Sequence, residues 1–221
     1  MNTHISVIML GAGKSKRFDS SELKQNYKIK NKSLLDYSRN FFSKYFKSSK
    51  RYIVINKRVK VKSLQKNEHI TLGSTSRLKS LNNCLNYIYN NNLKTSLTMV
   101  HDVARPVLNL SDITKMIKSL NSKTDGISLG YPATNAIKEL SNLNVKNNII
   151  RDHLWSSFTP QIFKTDKLYK SIQACIANET EIDDDIEALV LNNLKCSLIM
   201  SNPMNIKITY LSDLQYIKNL L

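Results

Sequence analysis

The stretch ISVIMLGAGKSKR, residues Ile5–Arg17, decides the fold. Ile5–Leu10 is apolar apart from Ser6 and does not alternate, the pattern of a strand buried on both faces. It runs into Gly11-Ala12-Gly13, small residues that let peptide N–H groups approach an anion. Lys14, Lys16 and Arg17 follow, and Lys24-Gln25 stand a little further on, with cations to neutralise a phosphate. In an open parallel sheet, ligands sit beyond the carboxyl ends of the strands, which is where this loop falls. Two other phosphate loops are excluded by position. GxxxxGK[ST] needs glycine where Ile8 stands, and GxGxxG needs it where Lys16 stands.

Outward from this stretch, short apolar runs alternate with helical patterns. Strands are expected at Tyr52–Ile55, Ile70–Leu72, Leu97–Val100, Gly126–Gly130 (stopped by Pro132), Leu198–Met200 and Ile206–Ile208. Helices are expected over Leu34–Phe46, Ser76–Tyr89, Ser111–Leu120 with a Ser cap, Leu168–Ala177 and Ile186–Leu194. A last helix is expected from Ser212, whose capping box Gln215 completes. This alternation predicts an α/β fold with a mostly parallel central sheet and helices on both faces. Residues 137–158 break the rhythm. They are polar, with extended pieces around Leu143–Val145 and Asn148–Arg151, and a hairpin leaving the body is expected. The 221 residues suit a single domain, 1–221, with 137–158 as its β-arm.

Lys and Arg number 33 against 17 Asp and Glu, a formal net charge of +16. Residues 1–66 hold 17 of the cations and 3 of the acids, net +14. Such a front favours a polyanionic partner, either nucleic acid or a phosphate-bearing small molecule. A chain rich in Lys and Asn throughout also carries solvated charge that serves no partner. No apolar run is long enough to cross a bilayer, and the first residues lack the basic flank of a signal peptide. Cys84, Cys175 and Cys196 lie far apart with no CxxC pair, and His4, His69, His101 and His153 lack metal spacing. Neither a disulfide framework nor a zinc site is supported, so a reducing, cytoplasmic compartment is the expectation.

The remaining strand ends carry the other candidates. After Leu97–Val100 comes His101-Asp102-Val103-Ala104-Arg105-Pro106. Asp102 is placed to hold Mg²⁺ between phosphate oxygens, and Arg105 to grip a phosphate bidentately. Gly73-Ser74-Thr75-Ser76-Arg77, running to Ser80, offers small and hydroxyl groups to a base or ribose, or simply a helix cap. Arg151, Leu154-Trp155 and Thr159-Pro160-Gln161 form a fourth cluster, with Trp155 expected in the core. Asp183-Asp184-Asp185 offers metal ligands, but three adjacent acids do not all face one way, and it reads rather as a solvated helix start that favours the helix dipole. Lys207, out of phase with Ile206 and Ile208, points away from their core, into solvent or a site.

In this order, GAGKSKRF with LKQ, GSTSRxxS, VHDVARP, RDHLWxxxTPQ and NIKIT resemble the 2-C-methyl-D-erythritol 4-phosphate cytidylyltransferase family and its relatives, the ribitol-5-phosphate cytidylyltransferases. The likeness covers nearly the whole chain. It implies a Rossmann-like domain and a projecting arm that interlocks two subunits, each site borrowing residues from its neighbour. It implies that the backbone of Gly11, Ala12, Gly13, Lys14 and Ser15 wraps the CTP triphosphate, and that Gly73, Ser74 and Ser80 hold the cytidine. Arg17, Lys24 and Lys207 are implied as the catalytic cations, and Asp102 as the ligand of Mg²⁺ or another divalent cation. Asp102, Arg105, Thr159, Asp183 and, from the partner's arm, Arg151 are implied on the acceptor side. The implied reaction transfers CMP to 2-C-methyl-D-erythritol 4-phosphate for isoprenoid precursors, in a cytoplasmic homodimer without membrane or nucleic-acid partner. Ribitol 5-phosphate is the alternative acceptor.

Departures fall at named positions. The family's paired alanines are Gly11-Ala12, its KQY is Lys24-Gln25-Asn26, and its paired glycine is Leu72-Gly73. Pro-x-x-Asp-Thr reads Pro132-Ala133-Thr134-Asn135-Ala136, and Thr-Asp-Asp/Glu reads Asp183-Asp184-Asp185, so two acceptor hydroxyls are replaced. Two rivals remain. A basic nucleic-acid-binding module needs aromatics among the cations, but Phe41, Phe42, Tyr45 and Phe46 recur at core-facing spacing. A sugar-1-phosphate nucleotidyltransferase shares a Gly-rich loop followed by Arg and Lys, and VHDVARP and LWSSFTPQ argue against it.

Overall fold

Strand β1 (Ile5–Gly11) is buried at every residue in the computed structural model, which describes residues 5–15, 17–18 and 23–221. His4 and Lys16 lie outside the described residues. Both neighbours of β1, β4 (Lys50–Ile55) and β6 (Leu97–Asp102), run parallel to it. Beyond β4 lies β5 (Glu68–Leu72), also parallel. On the other side, β10 (Trp155–Lys164) pairs antiparallel with both β6 and β7 (Gly126–Pro132), and β11 (Cys196–Met200) closes that edge parallel to β7. The order β11-β7-β10-β6-β1-β4-β5 is thus mostly parallel, as expected, with one reversed strand inside it.

Alternate residues of the central strands feed two cores. Val7, Met9, Ile53 and Met99 meet Leu34, Leu35 and Phe42 of α1 (Leu34–Tyr45), Ile113 and Met116 of α3 (Leu110–Ser119) and Leu214 and Ile217 of α6 (Asp213–Lys218). Ile8, Leu10, Tyr52, Val54 and Val100 meet the other face. There Leu81 and Leu85 come from α2 (Arg77–Asn90), Leu168 and Ile172 from α4 (Thr165–Ala177), and Ala188 and Leu189 from α5 (Asp185–Leu191). Arg39 of α1 forks onto the buried Glu68 of β5 at 3.2 and 2.7 Å and ties the first layer to the sheet edge. No helix among the described residues is long and apolar enough to cross a membrane.

Several expectations change. A small hairpin, β2 (Lys28–Ile29) and β3 (Lys32–Ser33), precedes α1, and Ser33 with Asp36 forms the capping box that opens that helix. Helix α3 is capped by Asn109, whose side chain accepts from Ser111 N, not by Ser111. Ser212 makes no side-chain cap; instead the Asp213 carboxylate accepts from Thr209 N and Tyr210 N, which removes the expected box with Gln215. Ile206–Ile208 forms no strand and is anchored by Ile208 N donating to Ala104 O. The arm is a hairpin of β8 (Ile137–Ser141) and β9 (Asn144–Ile149) paired only with each other. Leu143, expected in a strand, sits in its turn, and Trp155, expected in the core, is 38% exposed at the start of β10.

Candidate active site

The chain leaves β1 for β4 and β5 on one side and returns to β6 on the other. The carboxyl ends of β1 and β6 therefore flank a switch point, where the strand connections part and leave a crevice. A cavity of about 450 Å³ opens there, lined by Ala12–Ser15, Arg17, Lys24, Ser74–Arg77, Ser80, Asp102 and Lys207 among others. Most of the candidates converge on it: the loop after β1, the loop after β5, the aspartate that ends β6, and the lysine between two isoleucines.

The loop after β1 is held by its carbonyl oxygens. Asn56 Nδ2 donates to Ala12 O, Gln25 Nε2 to Gly13 O and Phe18 N to Ser15 O. Ser15 takes a left-handed φ of 57° and accepts from Lys24 N while its hydroxyl donates to Gln25. This clasp joins the phosphate loop to the turn that carries Lys24, a role for Gln25 that the sequence reading did not assign. Opposite, a Cβ on Gly73 would sit 2.2 Å from Ala12 Cβ, so glycine lets the two loops touch. Ser80 lines the cavity, but its hydroxyl donates to Ser76 O and accepts from Ser74 N, pinning that loop.

Asp102 is the sole carboxylate among the described lining residues, facing Lys14, Arg17, Lys24, Arg77 and Lys207. Lys207 Nζ donates to its Oδ2 at 2.7 Å and Arg77 Nε to its Oδ1 at 3.1 Å. Burial alone pushes this carboxyl up, but Arg77, Lys207 and Arg105 overcome that and hold it far below the usual carboxylate range. Lys24 Nζ donates to Ile208 O at 2.9 Å; burial, then the neighbouring Lys207 charge and Arg17, lower its pKa to about 8.

Gly11 and Gly73 adjoin lining residues but do not line the cavity themselves, and four other expected residues stand elsewhere. Thr159 is buried behind the site, where its hydroxyl accepts from Asp102 N at 2.9 Å instead of lining the cavity. Arg105 spends Nη1 on Asn205 O and lies over the Phe158 ring, outside the cavity lining. Arg151 is exposed at the base of the arm and donates to Thr134 O of its own chain. Asp183 is exposed, and its amide donates to Glu187 Oε2; the acidic triplet instead sends Asp185 inward, fully buried against Arg77. Asp185 is thus not the solvated helix start that the acidic triplet suggests, and its pairing with Arg77 is not marked in the sequence by any motif. One signal was available: a cation at the first residue of a helix opposes the helix dipole and calls for a tertiary carboxylate.

Of the aromatics near the basic front, Phe41 packs against Phe42 and Tyr45, and Phe42 is buried in the core as its helical spacing predicts. Among the described residues, five cations surround one carboxylate in a switch-point crevice, an arrangement suited to an α/β protein that handles phosphates. The family model described as IspD, 2-C-methyl-D-erythritol 4-phosphate cytidylyltransferase, matches residues 5–221, and the chain belongs to that family. A relative of that name from Wigglesworthia glossinidia brevipalpis is 32% identical, covering 96% of this chain and 93% of its own. The crystal structure of the Francisella tularensis 2-C-methyl-D-erythritol 4-phosphate cytidylyltransferase superposes with a TM-score of 0.85 at 25% identity, covering 99% of this chain and 100% of that one. The bifunctional IspDF of Campylobacter jejuni gives 0.82 at 25% identity, covering 97% of this chain and 54% of that longer one.

Proposed function

We infer that this protein transfers CMP from CTP to 2-C-methyl-D-erythritol 4-phosphate and releases pyrophosphate, a step toward isoprenoid precursors by the non-mevalonate route. The observation that carries this reading is the meeting of Arg17, Lys24, Asp102 and Lys207 in one cavity of a chain of this family. An acceptor phosphate oxygen attacks the α-phosphorus in line. The new P–O bond forms as the bond to the bridging oxygen of the β-phosphate breaks, and pyrophosphate leaves with that electron pair. The nucleophile is already anionic, so the chain supplies position and positive charge rather than a base.

Gly11–Ser15 offer peptide N–H groups to the triphosphate while the carbonyls of Ala12, Gly13 and Ser15 are held by hydrogen bonds. Gly73, Ser74 and Ser80 form the wall for the cytidine. Arg17, Lys24 and Lys207 cancel charge at the reacting phosphates. The donor set suits a magnesium ion: Asp102 is ionised, and each of its oxygens accepts one hydrogen bond and keeps a lone pair for a cation shared with phosphate oxygens. When bound, such an ion draws the phosphate oxygens together and neutralises them. Thr159 and Arg105 support the acceptor side from behind, through Asp102 and Asn205.

The arm extends the reading to a homodimer. Leu140, Leu143, Val145 and Ile150 are exposed on it, Leu143 at 91%, an apolar surface suited to a second copy. Arg151, solvent-facing in its own chain, then completes the neighbour's acceptor site together with Asp183. All three cysteines are free thiols, in keeping with a reducing cytoplasm. Pyrophosphate release with CTP, Mg²⁺ and each of two acceptors tests the assignment. Release with 2-C-methyl-D-erythritol 4-phosphate and not with ribitol 5-phosphate is expected. The reverse pattern overturns the acceptor, and no release with either overturns the reaction.

A further inference from the structure

Helices α2 and α5 begin side by side, and their first residues, Arg77 and Asp185, form a pair that the transfer reaction does not use directly. Arg77 Nη1 and Nη2 donate to Asp185 Oδ1 and Oδ2 at 2.5 and 2.8 Å, a two-pronged ion pair whose carboxylate is fully buried. Only the remaining Nε edge reaches Asp102, through one hydrogen bond of 3.1 Å. A guanidinium prefers to meet a carboxylate with two parallel N–H groups. Asp185 receives that full fork, and Asp102, the one carboxylate lining the cavity among the described residues, receives a single N–H. Charges alternate along the row Asp185, Arg77, Asp102, Lys207, so the positive charge of Arg77 is met from behind and Asp102 keeps its own.

We propose that Asp185 is a positioning residue that occupies the fork of Arg77 and so keeps Asp102 free to take a divalent cation. Without the carboxylate at 185, Arg77 turns its fork onto Asp102 and closes both oxygens. The inference rests on the reading of Asp102 as the metal ligand. Residues standing behind a metal ligand typically carry a roughly 10–100-fold effect on metal affinity or activity. Loss of Asp185 is expected to act on metal affinity in that range, although the residue touches neither metal nor nucleotide.

The test uses Asp185→Asn, nearly the same in shape and without charge, and the double variant Asp185→Asn/Arg77→Gln, which leaves no unpaired buried charge. Mn²⁺ is titrated into each protein with CTP and followed by water-proton relaxation, and the Arg77 Nε–H resonance is followed by nitrogen-edited NMR. The single variant is expected to bind Mn²⁺ about 10–100-fold more weakly and to shift that resonance, and the double variant to regain most of the affinity, because no guanidinium is left to capture Asp102. A residue needed only for packing gives no such rescue. Equal weakening in both variants, or an unmoved Arg77 signal in Asp185→Asn, overturns the proposal. Where the single variant does not fold, the double variant decides: near-original Mn²⁺ affinity supports the proposal, and weak binding overturns it. If Asp102→Asn leaves Mn²⁺ binding unchanged, the reading of Asp102 fails, and the Arg77 signal still judges the pairing on its own.

Discussion

Raising the pH through the titration of Lys24 offers a direct probe of the site. Burial first, then the charge of Lys207 and of Arg17, lower this amine from 10.5 to about 8, while Asp102 and Asp213 pull the other way. That shift amounts to roughly 3 kcal/mol set against the charged form in the empty site. A bound triphosphate reverses it, since an anion beside the ammonium favours the protonated state. Binding of CTP therefore takes up a proton wherever the free amine has lost one. Uptake is expected to be about half a proton at pH 8, and affinity to fall about tenfold between pH 7 and pH 9. Calorimetric titration of CTP in two buffers of different ionisation enthalpy reads the uptake directly. Lys24→Met is expected to abolish both the uptake and the pH dependence. An affinity that stays flat to pH 9, or a pH dependence that survives in Lys24→Met, refutes the reasoning. In the ligand-free protein the sign is opposite. Between about pH 8 and 10.5 the unfolded chain binds more protons at this group than the folded one, so its destabilising effect is full below pH 8 and is relieved as pH rises through that window.

The same burden makes Lys24→Met more stable when empty, by about 1–2 kcal/mol after loss of the bond to Ile208 O, with turnover lost; a melting temperature at or below the original contradicts this. Lys207→Ala is expected to lower kcat on the order of 10²–10³-fold while far-ultraviolet circular dichroism stays unchanged, and near-normal pyrophosphate release rules out its catalytic role. Gly73→Ala forces the two loops apart and is expected to cost about 1–3 kcal/mol of stability and to weaken CTP binding, readable by thermal melting and calorimetry; an unchanged melt shows that the contact with Ala12 relaxes freely. Arg151→Ala and Lys24→Ala, each inactive alone, are expected to recover activity when mixed, because one hybrid site then holds both residues; no recovery removes the shared site.

What the sequence disclosed depended on how local its cause was. The strand Ile5–Gly11 was legible because burial on both faces leaves an unbroken apolar run, and Lys207 because it falls between two buried or half-buried isoleucines. Strand β10 was not legible. It contains Pro160, which lacks an N–H donor, together with Ser156, Ser157 and Gln161, a composition that argues against an interior strand. The ladder tolerates it because the register shifts between Phe158 and Gln161, where the proline falls, and because the Gln161 amide Nε2 donates to Ser128 and Asp184 of other segments and to Ser157 of its own strand. Helix caps went astray for a similar reason. Asn109 and Ser111 both suit a cap, and only the backbone path selects Asn109. In the acidic triplet, which carboxylate turns inward was set by Arg77, more than a hundred residues away in sequence, and no local pattern records that.

The reversed strand has a mechanical consequence. Strand β10 starts with Trp155 at the root of the hairpin and, four residues later, places Thr159 against the peptide N–H of Asp102. One ribbon of backbone is thus both the stem by which a neighbour would grip the molecule and the brace of its own carboxylate. A compound wedged beneath that stem is expected to slow turnover without entering the cavity, and unaltered kinetics with the wedge in place would show that the brace is slack.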